Sequence, residues 1–349
     1  MKILALDLGK NKSAVCILNT TEMTERYKTI RTTPLEISAL LGDESPARVA
    51  FEVGTPAGWV YDVAAACGCK VQVANPNHEG WRWRNVKRKS DRLDALKLAR
   101  LSAAEQLPTV HMPSRSVREH RALIQYRVQL VGRRTRIKNT IRSLVARQGR
   151  RMVSGAGAWT RKELAVIRKW SRPWEEVGSE DLWRAELYEE LSALEEIEQR
   201  LSRVERKLDA LGRKDRRIVL LQTIPSVGPR AAEMLVAVID DPHRFKSGKE
   251  VGGYVGLTPR QFQSGQTDRS GAISKQGHRQ LRRILVEISW LALRYNPYLR
   301  SIYQRICRGS SSRRKIAIVA VARKLLVIAW AMLRDGTRWC PPSAYGSAA

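Results

Sequence analysis

Residues 1–18, MKILALDLGKNKSAVCIL, are two apolar runs divided by a Gly-Lys-Asn turn. Short apolar runs bounded by turn residues read as a β-hairpin, with Asp7 exposed near the turn. Glu52 closes a second such run, ARVAFEVGTP, again just before a turn. Asp91 and Asp94 stand three apart in SDRLDALKLARL, a spacing that puts both carboxylates on one face of a helix. Two strands and one helix can therefore bring four acids to one point. Carboxylates gathered in this way repel one another unless hard divalent cations neutralise them, and Mg²⁺ takes oxygen ligands of this kind. The pattern points to a two-metal phosphoryl-transfer centre in which Asp7, Glu52, Asp91 and Asp94 hold two Mg²⁺. The alternative is a chance scatter of surface acids, since the chain has 34.

The rest of the amino-terminal part continues the alternation. Apolar runs near 3–8, 13–18, 48–53 and 70–74 are strand candidates, and PAGWVYDVAAACG (56–68) reads as a helix ending at Gly68. Up to about residue 110 this makes an α/β layer. Residues 117–150 then show a helical period with Arg133, Arg134, Arg136 and Lys138 among the basic residues opposite the apolar stripe. Residues 180–213 carry Leu187, Leu191, Leu194, Ile197, Leu201, Val204 and Leu208 at spacings of three and four, the seam of a coiled coil. That seam can fold back on residues 113–150 or pair with a second copy, and a role in dimerisation is favoured. LLQTIPSVGPRAAEMLVAVI (220–239) has the helix–turn–helix pattern of a helix-hairpin-helix, whose turn lets backbone N–H groups approach a phosphate. A plain helical hairpin is the alternative. The expected fold is α/β plus α, divided into 1–150, a linker and coiled coil over 151–213, and a mostly helical part over 214–349.

A formal net charge of +29 over 349 residues seeks a polyanion. Anionic membranes compete as partners, but the most apolar stretch, IAIVAVARKLLVIAWAML, is cut by Arg323 and Lys324 and reads as a buried helix. Nucleic acid without membrane association is therefore expected. No leader-like pattern precedes the first strand, so the expected setting is the cytoplasm of a bacterium-like cell, at the nucleoid. Trp81, Arg82, Trp83 and Arg84, followed by Lys87 and Arg88, form the densest basic–aromatic block. They suit stacking and cation–π contacts with nucleic acid; a tryptophan pair in the core with solvated arginines is the other reading. The basic face of 117–150 reads as a phosphate-tracking surface rather than a merely solvated one. The five scattered cysteines, with one C-x-C pair at Cys67 and Cys69, do not make a zinc site and read as reduced thiols.

Residues 251–282 are rich in Gly, Ser, Arg and Gln between two helices, the composition of a functional loop. Ser264 precedes Gly265 and lies near Arg260 and Arg269; Lys275 and Arg279 follow. A serine hydroxyl is a weak nucleophile without a base or metal, and no His–Asp relay is evident nearby. On composition alone Ser264, Ser270 and Ser274 remain polar loop residues.

The order Asp7, Glu52, Asp91-x-x-Asp94, then IPSVGP and GLTPRQFQSGQTDRSGAISKQGHRQLRR, resembles the DEDD transposases of insertion sequences. More narrowly it resembles the insertion-sequence one-hundred-and-ten family, bridge-RNA-guided recombinases. KSDRLDALKLARL carries the resemblance in the amino-terminal half, and GLTPRQFQSG, GAISKQGHRQLR and RKIAIVAVARKLLVIAWAMLRDG carry it in the other. The resemblance implies a RuvC-like, ribonuclease-H-like amino-terminal domain, a coiled-coil insertion and a carboxy-terminal transposase domain. It also implies Asp7, Glu52, Asp91 and Asp94 as metal-binding tetrad and Ser264 as nucleophile. Gln263 stands where the family often has a first serine, leaving Ser264 alone at the expected place, and Ser226 stands where glycine is frequent.

These features lead to a composite expectation. Ser264 attacks a DNA phosphodiester to give a phosphoserine, the carboxylates bind Mg²⁺, and a bridge RNA selects donor and target DNA in a dimer or tetramer. No phosphate-binding G-x-x-x-x-G-K-[ST] motif occurs, consistent with strand exchange without ATP. The alternative enzyme is a RuvC-type Mg²⁺-dependent endonuclease that uses activated water on branched DNA. A non-catalytic nucleic-acid-binding protein and a coiled-coil scaffold are further alternatives.

Overall fold

The first strand is apolar without a break because it lies inside a sheet covered on both faces. The computed structural model describes residues 1–76, 90–265 and 267–342. The chain forms two units, Met1–Arg118 and Glu119–Ala349.

The amino-terminal unit contains β1 (Lys2–Asp7), β2 (Lys12–Asn19), β3 (Thr24–Arg31), α1 (Pro34–Glu44), β4 (Arg48–Glu52), α2 (Ala57–Ala66), β5 (Lys70–Ala74) and α3 (Asp91–Ala103). The strands form one mixed sheet in the order β3-β2-β1-β4-β5. β1, β2 and β3 pair antiparallel, while β1, β4 and β5 pair parallel. The hairpin and the 48–53 and 70–74 strands thus form where the sequence pattern puts them. β3 and α1 are additions. TERYKTIR is charged and exposed along most of its length, as suits an edge strand that must resist further pairing.

The two faces of the sheet differ in side-chain size. Leu4, Leu6, Val15, Ile17, Val49 and Phe51 pack on Ile37, Leu40 and Leu41 of α1 and Val60 and Ala64 of α2. On the opposite face Ala5, Cys16, Ala50 and Ala74 meet Ala95, Leu98 and Ala99 of α3. Small residues on both sides let that helix lie close to the strands.

The second unit is mostly helical. It takes up α4 (Arg115–Arg147) after its first turn, then α5 (Arg161–Arg168), α6 (Leu182–Lys214), α7 (Arg216–Leu221), α8 (Pro229–Ile239) and α9 (Gly248–Val255). A two-stranded ribbon follows, β6 (Pro259–Ser264) and β7 (Thr267–Ile273), then α10 (Arg279–Tyr295), α11 (Pro297–Cys307) and α12 (Arg314–Asp335). The leucine seam is buried inside the chain. Leu187, Leu191, Leu194, Ile197 and Leu201 of α6 pack on Leu130, Ile141 and Leu144 of α4. The pairs Arg127–Glu205, Lys138–Glu198 and Arg147–Glu186 step in opposite directions along the two helices, so they form an antiparallel arm. Of the two ways to bury the seam, the chain uses the fold-back.

A second core gathers α7 to α12. The late apolar stretch is α12, long and apolar enough to cross a membrane by length and composition, and half of its most apolar window is buried inside the fold. The IPSVGP turn joins α7 to α8, with Gly228 before α8 and Pro229 in its first turn.

Candidate active site

β1 and β4 run parallel with Leu6 opposite Phe51, so Asp7 and Glu52 end adjacent strands at the same level. By the pleat both share the face of Ala5 and Ala50, the face that α3 covers. The direction of α3 follows from its other end. Arg48, at the start of β4, donates from Nη1 to the Ser102 carbonyl, and Ser102 Oγ donates to Gln72 Oε1 at 2.6 Å. α3 therefore runs back across the sheet and carries its first turn toward the strand ends. Ser90 caps that turn by accepting from the Leu93 N–H. Two acids in a first helical turn also have an ordinary cause, because they complement the helix dipole. The approach of Asp94 to the strand end that carries Glu52 is the less ordinary part.

Lys97 links these elements. It lies one turn after Asp94 on the buried side of α3 and is only 7% exposed. Burial pushes its pKa down, while the nearby Asp94 and Glu52 carboxylates pull it back up. A single ammonium is thus close to one acid from the helix and one from the sheet. Asp7, Glu52 and Asp94 are half-buried, and Asp91 is exposed. Among the described residues, no three His, Cys, Asp or Glu side chains lie close enough together to hold a metal ion. Asp7 and Glu52 at the strand ends and Asp94 on the first turn of α3 are hard oxygen donors, the type that suits Mg²⁺, while Asp91 is exposed on that same turn.

The 251–282 segment is more ordered than its composition suggests. Residues 259–273 form the β6–β7 ribbon, with Ser264 at its tip and every β6 residue exposed. Ser264 and Phe262 are two residues apart and share one face, with Arg269 directly opposite Phe262. Gln263 pairs with Asp268 on the other face, where the Gln261 amide donates to Asp268 at 3.2 Å. The base of the ribbon is tied tightly. Ser274 N–H donates to the Thr258 carbonyl at 2.8 Å and Lys275 N–H to the Gly256 carbonyl at 3.2 Å. From α10, Arg282 Nη1 reaches both legs, donating to the Val255 carbonyl at 2.8 Å and the Gln276 carbonyl at 2.9 Å. His278 caps α10, its Nδ1 accepting from the Leu281 N–H at 3.2 Å. Burial, then Arg121 and Arg282, hold its pKa below the usual value, so it is neutral near pH 7.

The cationic residues divide by setting. Arg133 and Arg136 are exposed on α4 and Arg134 is half-buried there; Arg260, Arg269, Lys275 and Arg279 are exposed. Lys138 turns back into the arm, 3.4 Å from Glu198 and over the Trp159 ring at 4.8 Å. Trp81, Arg82, Trp83, Arg84, Lys87 and Arg88 lie outside the described residues. Sequence reasoning passed over Lys97, Phe262 and Arg282. The first continues the three-residue ladder Asp91, Asp94, Lys97. The second alternates with Ser264 as strand neighbours do.

Comparison with known proteins bears on the same two regions. The transposase model DEDD_Tnp_IS110 matches residues 4–148, and the model described as Transposase IS116/IS110/IS902 family matches residues 219–304. A protein of Pseudomonas aeruginosa, named a probable family 20 transposase, is 30% identical over 258 residues, 72% of this chain and 75% of its own length. The transposase for insertion sequence element IS1111A of Coxiella burnetii is 26% identical over 349 residues, 97% of this chain and 92% of its own. The pilin gene-inverting protein of Moraxella lacunata is 34% identical over 122 residues, 34% of this chain and 37% of its own. Among solved structures, Thermus thermophilus RuvC in complex with a Holliday junction substrate aligns over 32% of this chain and 100% of its own, at 15% identity and a TM-score of 0.23. The family models fall on the acid-bearing sheet and on the serine ribbon, and with the Pseudomonas relative they place the chain in the IS116/IS110/IS902 family of transposases, enzymes that act on DNA.

Proposed function

We propose that the chain cuts and rejoins DNA through a covalent phosphoserine on Ser264, with Asp7, Glu52, Asp91 and Asp94 acting in the same reaction and a bridge RNA choosing the sites. The observation that carries the reading is the approach of the first turn of α3 to the strand ends bearing Asp7 and Glu52. On that ground we read the amino-terminal unit as a RuvC-like domain.

In the cleavage step Ser264 Oγ bonds to phosphorus as the bond to one deoxyribose oxygen breaks. The serine gives up its proton and the departing oxygen gains one. Rejoining reverses the step with a different DNA oxygen, so ester energy is retained and no nucleotide triphosphate is consumed. Arg269, on the Ser264 face, suits a phosphate oxygen and the charge that develops on it. Mg²⁺ bound by Asp7, Glu52, Asp91 and Asp94 would supply Lewis-acid polarisation of the phosphate.

Arg133, Arg134 and Arg136 offer a track for RNA or DNA backbone along α4, and Trp81, Arg82, Trp83, Arg84, Lys87 and Arg88 are read from the sequence alone as further nucleic-acid contacts. Arg260, Lys275 and Arg279 would steady DNA around the ribbon. In this reading base pairing with the RNA supplies sequence choice, and the protein without RNA binds DNA with little sequence preference. The assembly is a dimer or tetramer.

Covalent trapping tests the proposal. The protein is incubated with its guide RNA, labelled element-end DNA and Mg²⁺, and denaturant-stable adducts are mapped by mass spectrometry. Label on Ser264 that disappears in Asp94→Asn is the expected result. Cleaved DNA without an adduct would instead assign the reaction to activated water, as in a RuvC-type nuclease.

A further inference from the structure

The face of the ribbon that carries Ser264 has a chemical character of its own. Phe262 is 60% exposed, so its phenyl ring is open to solvent on a ribbon whose β6 strand is exposed throughout. Its inner side rests over Gly271, where even a Cβ would come within 3.0 Å of Phe262 Cε2. The ring is thus backed by the β7 strand and open on its outer side. Arg269 is its cross-strand partner, so the two side chains leave the ribbon from paired positions on one face. Ser264 follows on the same face about 7 Å along the strand, two residues at about 3.3 Å each. Asp268 lies on the opposite face with Gln261 and Gln263, which keeps the ribbon's carboxylate away from the hydroxyl.

A flat apolar ring with one open side, an arginine at the paired position on the same face and a hydroxyl two residues along match the parts of a nucleotide. The base is a flat π-surface, and the phosphate takes bidentate donors. We infer that Phe262 stacks on an unpaired DNA base next to the bond that Ser264 attacks, while Arg269 holds the adjoining phosphate. The inference rests on the proposed function for the identity of that bond, though not for the stacking itself. Phe262 touches substrate in this scheme and fixes the reach of the serine to phosphorus. It favours DNA whose bases are already unstacked at the cleavage point. A fully paired base would first have to leave its stack.

Photocrosslinking of the full-length chain provides the test. The probe is a short single-stranded DNA carrying iodouracil, irradiated with the protein and analysed by peptide mapping. The expected result is a crosslink on Phe262 that is lost in Phe262→Ala and retained in Ser264→Ala. Cleavage in Phe262→Ala should fall about tenfold to hundredfold, the loss of one base–aromatic stack, and recover in Phe262→Trp. Arg269→Gln should flatten the dependence of log affinity on log salt, which Phe262→Ala leaves unchanged. Absence of any crosslink within 259–273 overturns the inference, as does a crosslink confined to the Gln261 and Gln263 face. A change in self-association of Phe262→Ala without a photoproduct would make the ring a protein contact and also overturn it. Loss of the Ser264 adduct with the Phe262 crosslink intact would reject the nucleophile while leaving the stacking in place.

Discussion

Gly256 and Gly277 stand where the two legs of the serine ribbon pass each other, and neither position has room for a side chain. A Cβ on Gly256 would lie 1.9 Å from the Gln276 carbonyl oxygen, and one on Gly277 would lie 1.9 Å from the Tyr254 carbonyl oxygen. Both also have left-handed backbone, with φ of +77° and +83°. The crossing, with Arg282 bonded to both legs, fixes the direction in which the ribbon leaves the helical core.

Gly277→Ala should therefore cost roughly 2–4 kcal/mol, because a backbone clash adds to the strain of the left-handed conformation. Urea unfolding of the full chain measures this. Arg282→Met should be milder in stability yet depress strand cleavage more than overall DNA binding. Equal losses of binding and cleavage would show that the clamp supports the fold without orienting Ser264.

Glu52→Gln and Asp94→Asn preserve shape while removing the charge and turning one acceptor oxygen into a donor. Each should lower DNA cleavage by at least about a hundredfold, as expected for groups that organise transition-state charge. Circular dichroism should remain unchanged. Full activity in Glu52→Gln would reduce that acid to a partner of Lys97 and of the strand end.

Ser226 adopts φ +83° and its buried Oγ has no hydrogen-bond partner. Ser226→Gly relieves both problems at once. A gain of about 1 kcal/mol is expected, seen as a rise of about 2–4 °C in the melting temperature. A loss of stability would mean that the hydroxyl has a partner in solution.

Glu44 gives a pH signature. Its carboxylate is almost fully buried, with Lys2 at 3.4 Å, Lys28 at 3.3 Å and Arg26 closer still. Burial alone would raise its pKa, but Arg26, Lys28 and Lys2 together hold it below the ordinary carboxylate range. The folded state therefore binds this proton less readily than the unfolded chain. The stabilisation is complete above the unfolded value of about 4.3 and fades as pH falls through the lower folded value. Glu44→Gln should cost about 1–2 kcal/mol near neutrality, a figure reduced by the partial exposure of the three cations. In urea titrations its deficit relative to the parent chain should shrink in acid.

How much of this was legible in the sequence depended on whether one strand or helix face is apolar. β1, β2, β4 and β5 have buried runs that announce themselves, and the seam of α6 is periodic enough to identify. β3 does not, because an edge strand rich in Glu, Arg and Lys has no apolar alternation to read. α1 carries a usable start signal, Thr33-Pro34-x-Glu36, with Thr33 accepting from the Glu36 N–H, but it lacks a long apolar stripe. The β6–β7 ribbon was hidden for a similar reason. PRQFQS is exposed on both sides, so its composition is that of a loop although its backbone is paired. Asp7, Glu52, Asp91 and Asp94 were visible as residues. Lys97 among them was not, because the burial of a lysine depends on what packs over it.

The alanine layer beneath α3 sets where this protein tolerates change. The side chains of Ala5, Ala50 and Ala74 are single methyl groups, yet they determine how low the helix rides over the strand ends. Valine at any of them would suit a β-strand and satisfy every local preference while lifting Asp94 away from Glu52. A chain carrying such a valine should therefore lose its activity through a side chain that takes no part in the reaction, while it still folds and still binds DNA.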